Sequence, residues 1–186
     1  MDLIKKLLGI VVLGLLLSGN VFADDIRDFQ IEGMSLGDSA LKHYSENEIK
    51  TNKKKWYKSK KYSTSAIDDI QVSYKSKDKQ YILASIDYTE TMDISKCLLE
   101  LPSQADAINE MFSSKVKQNG LSKSKHWADK YKKSFIHSYW FIFPNKDEIL
   151  VQCYDWSDEM TDKNGWRDHM RTSIVSKNFR RFLDKE

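Results

Sequence analysis

The run Ser134-Phe135-Ile136-His137-Ser138-Tyr139-Trp140-Phe141-Ile142-Phe143 constrains the fold more than any other segment. Side chains of a strand alternate between its two faces. Phe135, His137, Tyr139, Phe141 and Phe143 therefore lie on one face, and Ile136, Ser138, Trp140 and Ile142 on the other. Two largely apolar faces need cover on both sides, which predicts a central strand. Pro144-Asn145-Lys146-Asp147 is turn chemistry, and Glu148 to Trp156 returns as the second strand of a hairpin.

The remaining elements supply neighbours for that hairpin. Ile67 to Tyr74 and Gln80 to Tyr88 form a second one, with Ile70, Val72 and Tyr74 alternating against polar residues and Ser76-Lys77-Asp78-Lys79 as the turn. Met170 to Val175 predicts a last strand, and Ser176 caps a terminal helix bearing Phe179, Phe182 and Leu183. Asp93 caps a short turn holding Cys97, Leu98 and Leu99, and Pro102 interrupts it. Ser103 with Asp106 restarts the helix, which carries Ala105, Ile108, Met111, Phe112 and Val116 and stops at Asn119-Gly120. Nearer the start, Phe29 and Ile31 read as a short strand ending at Gly33. Ser35 and Asp38 then read as a capping box opening a helix with Leu36, Ala40, Leu41 and Tyr44, and Ser45 with Glu48 opens another. Lys53 to Tyr62 is strand or loop. The expected architecture is α+β: an antiparallel sheet of about five or six strands, packed by one main helix and short terminal helices.

Residues 1–23 carry the features of a secretory signal. Lys5 and Lys6 precede an apolar stretch from Leu7 to Leu17, and Val21-Phe22-Ala23 ends on the small residue that cleavage requires. As a helix the apolar stretch rises only about 16 Å, against a bilayer core of roughly 30 Å, so it is too short to anchor the chain. Residues 24–186 are expected to form one domain, exported to the periplasm or beyond and not integral to a membrane after cleavage. In that compartment Cys97 and Cys153 favour a disulfide over two buried thiols, a cross-link worth about 4 kcal/mol on the chain-entropy model.

The motifs suggesting chemistry lack partners. Gly33-Met34-Ser35-Leu36-Gly37 fits the G-x-S-x-G nucleophile elbow, but the parallel strands that should precede an elbow have no room before Gly33. Gly37-Asp38-Ser39 resembles the first block of the GDSL esterases, which implies Ser39 as nucleophile. The Gly-x-Asn-Asp and Asp-x-x-His blocks of that family are absent. Ser39 and Ser35 are thus the catalytic candidates, each with helix capping as its alternative role. His43, His126, His137 and His169 show no metal-ligand spacing. The acidic turn from Asp155 to Gly165 fails as a calcium loop, since Gly165 at the sixth position would put Met160 first and Arg171 twelfth. No cofactor is expected.

Charge is informative only in its distribution, the net formal charge being +3. Lys53, Lys54, Lys55, Lys58, Lys60 and Lys61 enclose Trp56 and Tyr57, with no acidic residue from Lys50 through Ala66. A second concentration, Lys123, Lys125, His126, Lys130, Lys132 and Lys133, surrounds Trp127 and Tyr131. Ammonium groups among aromatic rings suit phosphate-bearing surfaces such as anionic lipid, whereas export argues against nucleic acid. The competing reading is an edge strand kept soluble by lysines.

Ile31-Glu32-Gly33-Met34-Ser35-Leu36-Gly37-Asp38-Ser39 resembles the start of small, uncharacterised exported bacterial proteins. That resemblance implies compartment and no activity. The expected function is a non-enzymatic accessory or binding protein of the envelope that contacts an anionic surface through Lys53, Lys54, Lys55, Trp56, Lys58, Lys60 and Lys61. The alternatives are a serine hydrolase using Ser39 or Ser35, and a protein-binding module of the envelope.

Overall fold

Seven strands form one antiparallel sheet in the order β1-β2-β3-β7-β6-β5-β4. They are β1 Tyr57–Ser63, β2 Asp68–Lys75, β3 Leu83–Thr91, β4 Lys117–Lys125, β5 Phe135–Ile142, β6 Glu148–Asp155 and β7 His169–Val175. The helices are α1 Glu46–Ile49, α2 Ile94–Phe112, α3 Asp158–Asn164 and α4 Lys177–Leu183. The computed structural model of the chain describes residues 25–49, 57–63, 68–75, 78–112 and 115–185. Two three-stranded meanders, β1-β2-β3 and β4-β5-β6, are joined only when β7 pairs with β3 on one side and β6 on the other.

The expected α+β architecture is present, with one main helix. Helix α2 crosses one face of the sheet, over β6 and flanked by β5 and β7. Its buried stripe, Cys97, Leu101, Ala105, Ile108 and Phe112, recurs every three or four residues and meets Phe141, Ile149, Val151, Cys153 and Ile174. Cys97 and Cys153 are disulfide-bonded with Cα atoms 5.9 Å apart, tying the first turn of α2 to β6 inside the core. The segment from Ile26 to Ile49 wraps the end of this layer, where Phe112 sits between Phe29 (6.3 Å) and Phe143 (4.9 Å). On the opposite face α4 covers a smaller cluster of Ala84, Leu150, Val175 and Phe179, joined by Trp140 and Phe182.

Four local expectations are corrected. Pro102 does not interrupt the main helix, which runs unbroken from Ile94 to Phe112. Its ring lies on the solvent side of α2, where the carbonyl four residues back can turn to water while the buried stripe stays in register. Asn119-Gly120 does not stop that helix, which ends earlier. The pair lies inside β4, where the register with β5 shifts between Asn119 and Ser122. Ser35 opens no helix. Gly37 takes φ +86°, and its N–H donates to the Leu83 carbonyl (3.1 Å), so the segment lies along the start of β3. Phe29 and Ile31 form no strand, only an Ile31–Met34 bridge around a tight turn with Glu32 and Gly33 at positive φ.

Candidate functional site

The β4–β5 connection, residues 126–134, is built around one carboxylate. Asp129 is 2 % exposed. Its Oδ2 accepts from the Ser134 amide (2.7 Å), the Ser134 hydroxyl (2.8 Å) and the Lys133 amide (3.0 Å), and its Oδ1 accepts from the Tyr131 amide (2.8 Å). Burial alone would raise its pKa, but these donors outweigh it and hold the carboxyl down at about 2. The His126 amide donates to the Ser134 carbonyl (3.0 Å), closing the loop at its base, and Ser134 Oγ accepts from the Ser157 amide (3.1 Å).

Two aromatic residues project from this frame. Trp127 is 89 % exposed and Tyr131 48 %. The lysines around them are largely unopposed. Lys133 pairs with Glu159, but no carboxylate among the described residues lies at ion-pair distance from Lys123, Lys125, Lys130 or Lys132. Lys123 Nζ sits 4.0 Å from the centre of the Phe135 ring, and Lys130 Nζ 4.9 Å from that of Tyr131.

The loop leans on a wall of rings. His126 is buried between Trp156 (4.2 Å), Tyr154 (5.6 Å), Trp127 (5.8 Å) and Trp166 (6.4 Å). Trp166 packs on Trp156 at 4.4 Å, and His169 stacks on Tyr154 at 4.4 Å. Burial lowers the His126 pKa; Asp129 opposes that shift and Arg171 adds to it. Nδ1 of His126 accepts from the Ala128 amide (3.1 Å), so the proton of the neutral ring is on Nε2. Behind the rings, the Tyr154 hydroxyl accepts from Arg171 Nη1 (3.1 Å) and donates to Gln152 Oε1 (3.3 Å), and Gln152 Nε2 donates to Ser138 Oγ (2.9 Å). Imidazole, phenol and amide are engaged with one another, which makes this a rigid support for the two projecting rings.

The sequence candidates fall in several places. Lys53, Lys54, Lys55 and Trp56 lie outside the described residues. Lys58, Lys60 and Lys61 lie on β1, one edge of the sheet, in register with Tyr74, Val72 and Gln71. Lys123 and Lys125 lie on β4, the other edge. Lys58, Lys60, Lys61, Lys123 and Lys125 thus fall on the two edge strands, where lysine discourages edge-to-edge pairing. The second stretch continues into the aromatic β4–β5 loop.

Ser35 and Ser39 lie elsewhere. The buried Ser35 hydroxyl donates to the Arg27 carbonyl (2.8 Å). The Ser39 hydroxyl donates to the Gln80 carbonyl (2.5 Å) and accepts from the Leu41 amide (3.2 Å), capping the 3₁₀ turn Ala40–Lys42. Both hydroxyls therefore serve the backbone. A shallow depression of about 510 Å³ at the β5–β6 turn end of the sheet is lined by Asp25, Arg27, Lys75, Asp78 and Asp147 among others, with charges of both signs. Among the described residues no group of three or more His, Cys, Asp or Glu side chains could hold a metal ion, and no helix is long and apolar enough to cross a membrane.

The lysines, Trp127 and Tyr131 of the loop are visible in the sequence, but what holds them is not. Asp129 lies five residues before Ser134 in a polar connection, and that Asx-type turn chemistry was its available signal. Trp156 is brought beside His126 by the β4–β5 and β5–β6 registers, and His169 beside Tyr154 by that of β6 with β7. Comparison with protein-family models, with curated proteins and with solved structures finds no match.

Proposed function

We propose that this is an exported, non-catalytic binding protein of the bacterial envelope, and that it contacts an anionic surface through the β4–β5 loop. The export signal in residues 1–23 and the buried Cys97–Cys153 disulfide support the compartment. The observation carrying the contact is Trp127, 89 % exposed on a loop that the Asp129 carboxylate holds in place. An exposed apolar residue is ordinary by itself. Here the loop is ordered before any ligand arrives, so little conformational freedom remains to be lost on binding. Each lysine near an anionic bilayer contributes about 1 kcal/mol, so Lys123, Lys125, Lys130 and Lys132 together supply about 4 kcal/mol at low salt.

Co-sedimentation with vesicles tests this reading. The protein should bind anionic but not neutral vesicles at low salt, and bind less at physiological salt. A Lys123→Gln, Lys125→Gln, Lys130→Gln, Lys132→Gln variant should lose the interaction, while Lys58→Gln, Lys60→Gln, Lys61→Gln should keep most of it. The reverse ranking would move the contact to β1, and no binding would remove the reading. Ester turnover on the same preparation, lost in Ser39→Ala, would replace it with hydrolase activity.

A further inference from the structure

We infer that the surface recognised by the β4–β5 loop is a lipid bilayer, with Trp127 and Tyr131 entering its headgroup region, rather than a soluble polyanion. The inference rests on the anionic-surface reading and goes beyond it by naming the occupant. It follows from three features of the loop taken together.

The first is the pairing of ring type with charge. Indole and phenol each combine an apolar body with a polar atom, and such rings favour the boundary between headgroups and acyl chains. Trp127 and Tyr131 are the exposed rings of the loop, and Lys123, Lys125, Lys130 and Lys132 around them have no carboxylate partner among the described residues. Those lysines complement anionic headgroups. A polyanion in solution would need the lysines alone. A polyanion without bases, such as polyphosphate, offers nothing apolar to an indole that keeps nine-tenths of its surface in water.

The second is rigidity. Asp129 ties down the amides of Tyr131, Lys133 and Ser134, and the His126 amide closes the base of the loop on the Ser134 carbonyl. Trp127 cannot readily fold back to bury itself. Its inner neighbour is His126, whose ring is already enclosed by Trp156, Tyr154 and Trp166. The indole is therefore held outward by a filled wall behind it.

The third is position. The loop lies at the end of the sheet away from the β5–β6 turn and from the wrapped N-terminal segment, beyond the last residue of β4. Helix α4 and helix α2 cover the two faces of the sheet, while at this tip Trp127 and Tyr131 stay exposed.

The test uses protein recovered from the full-length chain after export, mixed with anionic vesicles whose lipids carry bromine on the acyl chains. Trp127 emission should be quenched on binding, and the quenched component should vanish in Trp127→Phe although other tryptophans remain in the chain. Trp127→Ala should weaken vesicle binding about tenfold or more, the factor expected when half an indole is no longer withdrawn from water. Its affinity for inorganic polyphosphate should be unchanged, and an unchanged thermal midpoint would establish that the variant folds. If vesicles bind equally well to Trp127→Ala and no emission is quenched, insertion is wrong while the anionic-surface reading survives. If wild-type protein ignores anionic vesicles, both fall.

Discussion

Arg171 directs two donors, Nε at 3.2 Å and Nη2 at 2.7 Å, onto the single carboxylate oxygen Oδ1 of Asp87. The residues are 84 apart in sequence and lie on the adjacent strands β7 and β3, across the seam that joins the two meanders. Nη1 of the same guanidinium reaches the Tyr154 hydroxyl on β6, so one side chain spans the seam and braces the ring wall behind Trp127.

Removing the carboxylate should therefore destabilise the seam. The Asp87 side chain is 4 % exposed and that of Arg171 32 %, so Asp87→Ala leaves a half-buried cation without its partner. Losing one member of a fully buried pair costs about 3–5 kcal/mol. Partial exposure of Arg171 reduces that to about 2–3 kcal/mol in urea unfolding. Asp87→Leu combined with Arg171→Met should recover much of the loss, because no charge is then stranded. A double variant as unstable as Asp87→Ala would mean that Arg171 matters chiefly through Tyr154.

Asp129 links loop order to pH. Its folded-state pKa of about 2 lies below the unfolded value of about 3.9, so its contribution to stability is complete above about pH 4. That contribution fades as pH falls towards 2, where the folded-state carboxyl takes up its proton. Asp129→Asn should be less stable than wild type at pH 7, and the gap should close between pH 4 and pH 2. Paired urea titrations at several pH values measure it. A gap that stayed constant would show that Asp129 acts through packing and not through charged acceptance.

The disulfide should be worth about 2–5 kcal/mol, the range for removing a native cross-link. Cys97→Ala with Cys153→Ala should lower the thermal midpoint markedly, and reductant should do the same to wild type once unfolding exposes the bridge. Native protein should resist reduction, both cysteines being wholly buried. Rapid labelling of free thiols in the folded state would contradict this.

Pro102 sits on the exposed side of a continuous helix at a position that lacks an N–H for the Leu98 carbonyl. Pro102→Ala supplies that donor and a better helix former, and should stabilise the fold by about 1–3 kcal/mol. A destabilised variant would mean that the proline itself is needed to seat Cys97 and Phe112 at once.

Much of the sheet was legible wherever a strand buries one face. Ile70, Val72 and Tyr74 in β2, and the alternating rings of β5, announced themselves by period two because the core demands it. β4 did not, since Lys117–Lys125 is exposed along nearly its whole length and has no apolar period to read. Its strand conformation comes from hydrogen bonds to β5. Pro102 misled for the opposite reason: its local preference is real, but a buried stripe from Cys97 to Phe112 outweighs it.

The sequence alone determined the alternating strands, the apolar stripe of the main helix, the opportunity for a disulfide and the concentration of lysines around Trp127 and Tyr131. These are local patterns of burial, charge and cysteine placement, and they survive without knowledge of neighbours. Tertiary structure alone decided that β7 completes the sheet between β3 and β6, that Arg171 finds Asp87, and that Trp156, Trp166 and His169 assemble with His126 and Tyr154 behind the loop. Those contacts join residues far apart in the chain. Their free energy appears only after the sheet has closed, so nothing in the local sequence pattern foreshadows them.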